Sequence, residues 1–184
     1  MDAIDAILTR RSAGKLTEPG PTEPQLATIL AAGQAAPDHG RLEPWRFIVI
    51  EGAARDVLAD SLARLRLARA PDADADTLAK ERRKAYRAPT IIAVAASIAP
   101  GKIPPFEQEM AAAAAAQNMF LAAHALGLGA MWKTGEAAYD AALKTALGLS
   151  SDDRIVAFLY VGTRADTEPP PPKRLKDVTR RLPG

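Results

Sequence analysis

The sequence predicts one domain of the α+β class, a sandwich in which helices flank a central mixed sheet. Three observations support this prediction. The chain has 184 residues, a length at which one domain buries a sufficient core without disulfides or a metal. It is 48% apolar and 25% charged, which is ordinary globular composition. Helical and strand patterns interleave at irregular spacing without an internal repeat, so we predict a single domain over 1–184 and neither a regular doubly wound fold nor a solenoid.

The predicted elements follow from apolar spacing and from turn residues. Thr22 and Gln25 form a capping-box pair that starts the second helix, and short apolar runs ended by turn residues indicate buried strands. In chain order we predict a helix over 2–10, a helix from 22 to about 35, a strand over 47–50, a helix through 58–65, a connector or surface helix over 70–84, a strand over 89–96, a long helix over 106–126, a strand near 130–133, a helix around 139–147, a strand over 155–162 and an extended proline arm at 169–172.

The segment from Met110 to Trp132 carries no formal charge and is long enough to cross a bilayer. Most of it is alanine, which gains little free energy on transfer to lipid, and Gln117, Asn118 and His124 would lie at mid-bilayer depth. We therefore predict a helix buried in protein and no membrane span. Its run of alanines would let a symmetry mate or a flat ring system approach closely, although simple core packing explains the run as well.

The missing residue types exclude several kinds of chemistry. The chain has no cysteine, which excludes disulfides, thiolate nucleophiles and cysteine-bound metals. Its two histidines, His39 and His124, are not in metal-ligand spacing, and no serine lies in a G-x-S-x-G turn, so we expect no metal site and an imported cofactor if the protein is an enzyme. Asp2 and Asp5 stand where a signal peptide would be basic, so we expect a cytoplasmic protein.

Two basic or aromatic segments could contact a ligand. Arg10, Arg11 and Ser12 follow the first predicted helix, and guanidinium groups with a hydroxyl can hold a phosphate. Taken alone, the tripeptide is explained more simply as cations that offset the dipole at a helix C-terminus. His39 stands in a loop framed by Pro37 and Pro44, which fits either a rigid ligand-facing loop or a plain helix-to-strand connector.

A third segment, Gly127 to Gly135, looks superficially like a dinucleotide-binding glycine motif. That motif requires the order strand, glycines, helix, whereas here glycines close a helix and open a strand, so Gly127 is better explained as a helix C-cap. The following Trp132, Lys133 and Thr134 could place an indole, a cation and a hydroxyl along one edge of a planar ligand. A lysine near the pyrimidine end of a flavin would stabilise the negative charge that appears on two-electron reduction.

Taken together, these segments resemble the nitroreductase family of FMN-dependent oxidoreductases, most closely its small, single-domain YdjA-like branch. The resemblance covers nearly the whole chain and rests on the order of its pieces. They are Arg10-Arg11-Ser12, Ala36-Pro37-Asp38-His39, Pro44-Trp45-Arg46-Phe47, Pro104 to Met110, Gly129 to Gly135 and the strand Ile155 to Thr163.

The resemblance implies a nitroreductase-like homodimer, with its long central helix at the dimer interface and FMN in clefts that both chains touch. By position, Arg10, Arg11 and Ser12 would hold the ribityl-phosphate side and His39 would contact the flavin from that same chain, whereas Trp132, Lys133 and Thr134 would line it from the other subunit. The family reaction is a ping-pong transfer of hydride from NAD(P)H through the flavin to a small aromatic or quinone-like acceptor. The stretch Ala122 to Gly127 matches a region associated with the nicotinamide.

Two positions depart from the pattern of this branch. Ala35 stands where relatives often carry arginine, and Lys133 replaces the arginine of their Trp-Arg-Ser, so a point charge takes the place of a forked donor. Because the flavin carries the hydride chemistry, we predict no catalytic side chain and no essential general acid or base, with the product's proton coming from water or His39.

Two other functions were weighed. A protein of the same fold could bind a flavin or another planar ligand without reductase turnover. Nucleic-acid binding would rest on a basic tail and a net charge of only +2, and acids interrupt that tail, so we expect no nucleic-acid partner. The basic residues of the tail are Lys173, Arg174, Lys176, Arg180 and Arg181.

Overall fold

The computed structural model describes residues 1–165 and 176–182. The helices are α1 Ala3–Thr9, α2 Glu23–Gln34, α3 Arg55–Arg69, α4 Ala75–Arg82, α5 Pro105–Ala125 and α6 Ala141–Ala146. The strands are β1 Leu16–Thr17, β2 Trp45–Glu51, β3 Thr90–Ala96, β4 Gly129–Lys133 and β5 Arg154–Arg164. Short 3-10 turns cover His39–Arg41, Gly52–Ala54, Arg83–Tyr86 and Glu136–Tyr139. The α+β class is confirmed, and β1 is an element that the sequence analysis missed.

The strands form one sheet around β5. Phe158 of β5 pairs with Ala93 of β3 and with Lys133 of β4, so β5 lies between these two strands. β2 continues the sheet beyond β3, and β1 pairs with the C-terminal end of β5. All of these pairings are antiparallel. The prediction of a mixed sheet is therefore wrong for the described strands, because β3 and β4 run in the same direction but β5 separates them.

Helices cover both faces of this sheet. Alternate residues of β3 point to opposite sides, so that Ile91 joins a cluster with Leu58 of α3 while Ile92 joins a cluster with Ile29 of α2 and Met119 of α5. Every residue of β3 is buried, which explains its unbroken apolar run. The predicted sandwich of helices flanking a sheet is thus confirmed.

Predicted helix ends are also observed. The side chain of Thr22 accepts the Gln25 N–H while Gln25 accepts the Thr22 N–H, which is the capping box expected at the start of α2. Gly127 follows α5 with φ +80°, and Leu128 N–H donates to Ala123 O at 2.9 Å, which is the bonding of a glycine C-cap.

Among the described residues, no helix combines the length and the apolar character that a membrane crossing requires. Residues 70–84, expected as a connector or surface helix, contain α4. The proline arm at 169–172 and the tail residues Lys173 and Arg174 lie outside the described residues.

Candidate functional site

Arg10 lies at the C-terminal end of α1, where its N–H donates to Ala6 O at 3.0 Å and caps the helix. Its guanidinium carbon stands 4.2 Å from the centre of the Phe120 ring on α5. The Nη1 atom is buried and has no hydrogen-bond partner among the described residues. Burial, followed by the nearby charge of Arg11, lowers the pKa of Arg10. A buried unpaired donor of this kind is costly unless an anion satisfies it.

Three further basic side chains surround Arg10. Arg11 Nη1 donates to Leu8 O at 2.8 Å, and Arg164 Nη2 donates to Arg11 O at 3.0 Å, which brings the end of β5 beside the end of α1. His124 of α5 completes the group. We call Arg10, Arg11, His124 and Arg164 the basic cluster. A cavity of about 310 Å³ is lined by Arg11, His124 and Arg164.

Burial and the charges of this cluster both act on His124. Burial lowers the pKa of His124, and the charges of Arg10, Arg164 and Arg11 lower it further. Thr9 Oγ1 donates its one proton to Asp5 O at 2.5 Å, so at its 3.0 Å contact with His124 Nε2 it accepts. His124 therefore carries a proton on Nε2, and burial and the surrounding positive charge both disfavour a second proton on its ring.

The segment after the basic cluster runs along β4. Ala13 N–H donates to Ala130 O at 2.8 Å, which fixes this segment against the strand. Gly129 permits the approach, because a Cβ there would lie 2.6 Å from Leu16 Cδ2 and 3.1 Å from the Cβ atoms of Ala13 and Arg164. The segment that follows the basic cluster therefore lies against β4 of the same chain.

Lys133 and Thr134 line a cavity of about 500 Å³ between β4, β5 and α3, which we call the Lys133 pocket. A small cavity of about 80 Å³, lined by Ala13, Gly14 and Lys133, joins this region to the segment after the basic cluster. The two acids of the pocket are paired, Glu81 with Lys84 at 2.5 Å and Glu136 with Arg69. Its lining is left with an excess of positive charge from Arg66, Arg87 and Lys133.

Trp132 does not share the Lys133 pocket. Neighbouring side chains of a strand point to opposite faces, and Trp132 packs with the cluster that contains Met119 and Phe120 of α5. The structure therefore brings Lys133 and Thr134 together but places the indole of Trp132 on the other side of the sheet. The sequence analysis had expected all three along one edge of a ligand, and strand alternation is the reason for the difference.

His39 lies in a third region. It begins a 3-10 turn, and its Nδ1 is 2.6 Å from Glu107 Oε2 on α5. Both residues line a largely apolar cavity of about 550 Å³ together with Phe106 and Met110. The residues that line this cavity do not line the basic-cluster cavity or the Lys133 pocket, so the described part of one chain does not bring His39 to either.

Ser12 is exposed beside the basic cluster. Sequence reasoning missed Arg164, His124 as part of the cluster, and Phe120. The signal for Arg164 was weak because it lies at the end of a strand pattern, and its proximity to Arg11 depends on long-range pairing. The described residues contain no group of three or more histidine and acidic side chains that could hold a metal ion.

The chain is similar in sequence to proteins of one known family. Residues 7–163 match the family model described as the nitroreductase family. The chain is 42% identical over 164 residues to an Escherichia coli K12 protein described as "Putative NAD(P)H nitroreductase YdjA", and the match covers 89% of this chain and 88% of that protein.

Two solved structures that are similar to this chain contain the cofactor named in their descriptions. A nitroreductase with bound FMN from Bacteroides fragilis superposes with a TM-score of 0.75 at 26% identity, covering 98% of each chain. A second structure, described as "putative nitroreductase in complex with fmn" from Desulfovibrio desulfuricans, has a TM-score of 0.74 at 29% identity and covers 98% of this chain and 96% of that one.

Proposed function

The chain belongs to the nitroreductase family, and from that premise we propose that it is an FMN-dependent oxidoreductase passing reducing equivalents from NAD(P)H to flat acceptors such as nitroaromatics or quinones. The observation that carries the proposal is the buried, unpartnered Nη1 of Arg10 inside the basic cluster. Such a donor fits a phosphate oxygen, and the FMN phosphate is the anion that this family supplies.

The residues around Arg10 suit a phosphate dianion. Arg11 and Arg164 add positive charge, and Ser12 could add a neutral hydrogen bond from its hydroxyl. Ala35, where relatives often carry arginine, cannot supply a further cation. We therefore assign phosphate binding mainly to the basic cluster, with Ser12 in support.

The ring system would extend from the phosphate past Ala13 and Gly14, where a small cavity also touches Lys133, into the Lys133 pocket. The pocket of about 500 Å³ is within the usual range for a bound small molecule. Its leucines, Leu58, Leu62 and Leu65, offer an apolar wall, and Lys133 places a cation beside the ring. When bound, FMN supplies the hydride chemistry, taking two electrons from NAD(P)H and giving them to the acceptor. The protein holds the ring, keeps positive charge near it and orients both substrates.

We further propose a single-domain homodimer in which both chains touch each FMN. Support comes from the separation of His39 from the other site residues within one chain and from exposed apolar side chains on α5, Phe106 at 68% and Met110 at 56% exposure. In this arrangement Arg10 to Ser12 and Lys133 serve one flavin, and His39 of the partner subunit approaches it. This division differs from the one that the family resemblance implied; it is supported by the Ala13 to Ala130 hydrogen bond, which holds the segment after Arg10 against β4 of the same chain. The cytoplasmic location stays a prediction from sequence.

The test is spectroscopic. Purified protein, reconstituted with FMN if needed, should show the flavin absorbance band, and anaerobic NADH or NADPH should bleach it. Nitroaromatic or quinone acceptors should then restore the band. A flavin-loaded protein that neither nicotinamide bleaches would instead be a binding protein without turnover, and failure to bind FMN at all would overturn the proposal.

A further inference from the structure

The loop that carries His39 is held in an unusual backbone conformation. Gly40, Arg41 and Glu43 have φ values of +80°, +55° and +46°. Left-handed backbone at non-glycine residues costs about 1–3 kcal/mol each and persists only where surrounding contacts impose it. Here the Glu43 N–H donates to Asp38 Oδ2 at 2.9 Å, which closes the loop. This strained loop fixes the backbone at His39, and the orientation of the ring depends on further contacts.

Glu107 restricts that ring. Its Oε2 is 2.6 Å from His39 Nδ1, a short distance for a bond to a carboxylate. An ionised carboxylate only accepts, so the proton of this bond is on Nδ1. His39 Nε2 has no partner among the described residues. Because 64% of the His39 side chain is exposed, Nε2 remains accessible to a bound molecule.

We propose that Glu107 is a positioning residue for His39, fixing its Nδ1–H tautomer so that Nε2 is the atom that exchanges a proton with the acceptor. This inference rests on the proposed function, in which His39 faces a flavin held by the partner subunit. Reducing a nitro group to a nitroso group and water consumes two electrons and two protons. Hydride brings both electrons and one proton. The second proton leaves Nε2 of a protonated His39, and water returns it afterwards.

A plain structural role for Glu107 makes different predictions. It lies in the first turn of α5, where an acid stabilises the positive end of the helix dipole. In that role Glu107 would stabilise the helix through its charge, and its removal would not change the tautomer of His39. Glu109 lies two residues further along the same helix and provides the matched control.

The direct test is nitrogen NMR of the protein with labelled histidines. The chain has only two, so a His39→Gln variant assigns the spectrum. In the native protein, neutral His39 should carry its proton on Nδ1, and Glu107→Ala should move it to the Nε2–H form that free imidazole side chains prefer in water. Glu107→Gln should retain the native tautomer through its amide oxygen, and Glu109→Ala should leave it unchanged. An Nε2–H tautomer in the native protein, or no change in folded Glu107→Ala, would overturn the inference.

A kinetic test uses the FMN-loaded enzyme. Glu107→Ala should lower the rate of acceptor reduction by about 10–100-fold, the range known for removing a residue that orients a metal-bound histidine. FMN affinity and the rate of flavin reduction by NADH should stay native, and Glu109→Ala should match the native enzyme throughout. Loss of both half-reactions, or of neither, would contradict positioning by Glu107. If the native protein itself fails to bind or reduce FMN, the proposed function fails, and the tautomer result still decides whether Glu107 orients His39.

Discussion

The guanidinium of Arg10 stacks on the ring of Phe120, with 4.2 Å between the guanidinium carbon and the ring centre. Phe120 is itself 5% exposed and belongs to the core beneath the sheet. The stack contributes about 0.5–2 kcal/mol and holds the cation in one place before an anion arrives. The basic cluster is thus partly built from the hydrophobic core, which no local sequence motif could have shown.

Arg10→Ala should weaken FMN binding by about 10–100-fold, since hydrogen bonds to charged groups contribute about 1.5–3 kcal/mol. Arg10→Lys should recover only part of this loss because a point charge replaces a planar fork that both stacks and donates. Fluorescence titration of the unloaded protein with FMN measures the effect.

Arg82→Ala is the control for this prediction, because it removes an arginine from an exposed ion pair with Asp60. FMN affinity should be native in that variant. Equal affinities in Arg10→Ala and Arg82→Ala would show that the basic cluster does not hold the phosphate.

Lys133→Met should make the midpoint potential of bound FMN more negative. A cation beside the ring stabilises the negative charge of the reduced flavin, so its removal favours the oxidised form. We expect a change of about 30 mV, which corresponds to about 1.4 kcal/mol for a two-electron couple. Redox titration with a reference dye measures it, and Lys80→Met, on the exposed side of α4, should leave the potential unaltered. A native potential in Lys133→Met would place the ring away from this pocket.

The sequence predicted the parts of the fold that depend on local pattern. The Thr22 and Gln25 capping box and the Gly127 C-cap are both fixed by neighbouring residues, and both were found. The prediction of a mixed sheet failed because strand direction depends on which strands are neighbours. Here β5 lies between β3 and β4, and hydrophobic periodicity carries no information about strand order. The same limit applies to the site: Arg10 and Arg11 were evident as a motif, but Arg164 joins them only through the pairing of β5.

Asp140 connects α3 with the start of α6, and its replacement should destabilise the fold. It caps α6 by accepting the N–H groups of Ala142 and Leu143, and it accepts hydrogen bonds from Ser61 at 2.6 Å and from Arg64. Asp140→Ala should lower the free energy of unfolding by about 1–2 kcal/mol through loss of the cap alone. Urea unfolding at neutral pH measures this, and Asp152→Ala, at an exposed loop position, should differ little from native. An unchanged midpoint in Asp140→Ala would contradict the role of this carboxylate.

The same carboxylate gives a prediction at acid pH. Burial alone would raise the pKa of Asp140, but hydrogen bonds from Arg64 and Ser61 and the charge of Arg64 lower it to about 2. A lowered carboxyl pKa contributes stability that is present above the ordinary value of 3.8 and is lost as pH falls through about 2. Native protein should therefore lose more stability than Asp140→Ala between pH 4 and pH 2. If the free energy of unfolding falls equally in the two proteins over this range, the partners of Asp140 do not lower its pKa.

His124 should make stability depend on pH in a higher range. Its pKa is lowered from 6.5 by burial and by the charges of Arg10, Arg164 and Arg11, so the unfolded chain binds the proton more readily than the folded one. Stability is then fully present above pH 6.5 and falls as the solution is acidified below it. His124→Gln keeps an N–H for Thr9 and should flatten this part of the profile, which urea unfolding between pH 7.5 and pH 5 would show. Bound FMN should reduce this slope in part in the native protein, because a phosphate among the arginines offsets their charges, whereas burial, the larger cause of the lowered pKa, remains. If FMN leaves the slope unaltered while binding tightly, its phosphate lies elsewhere than in the basic cluster.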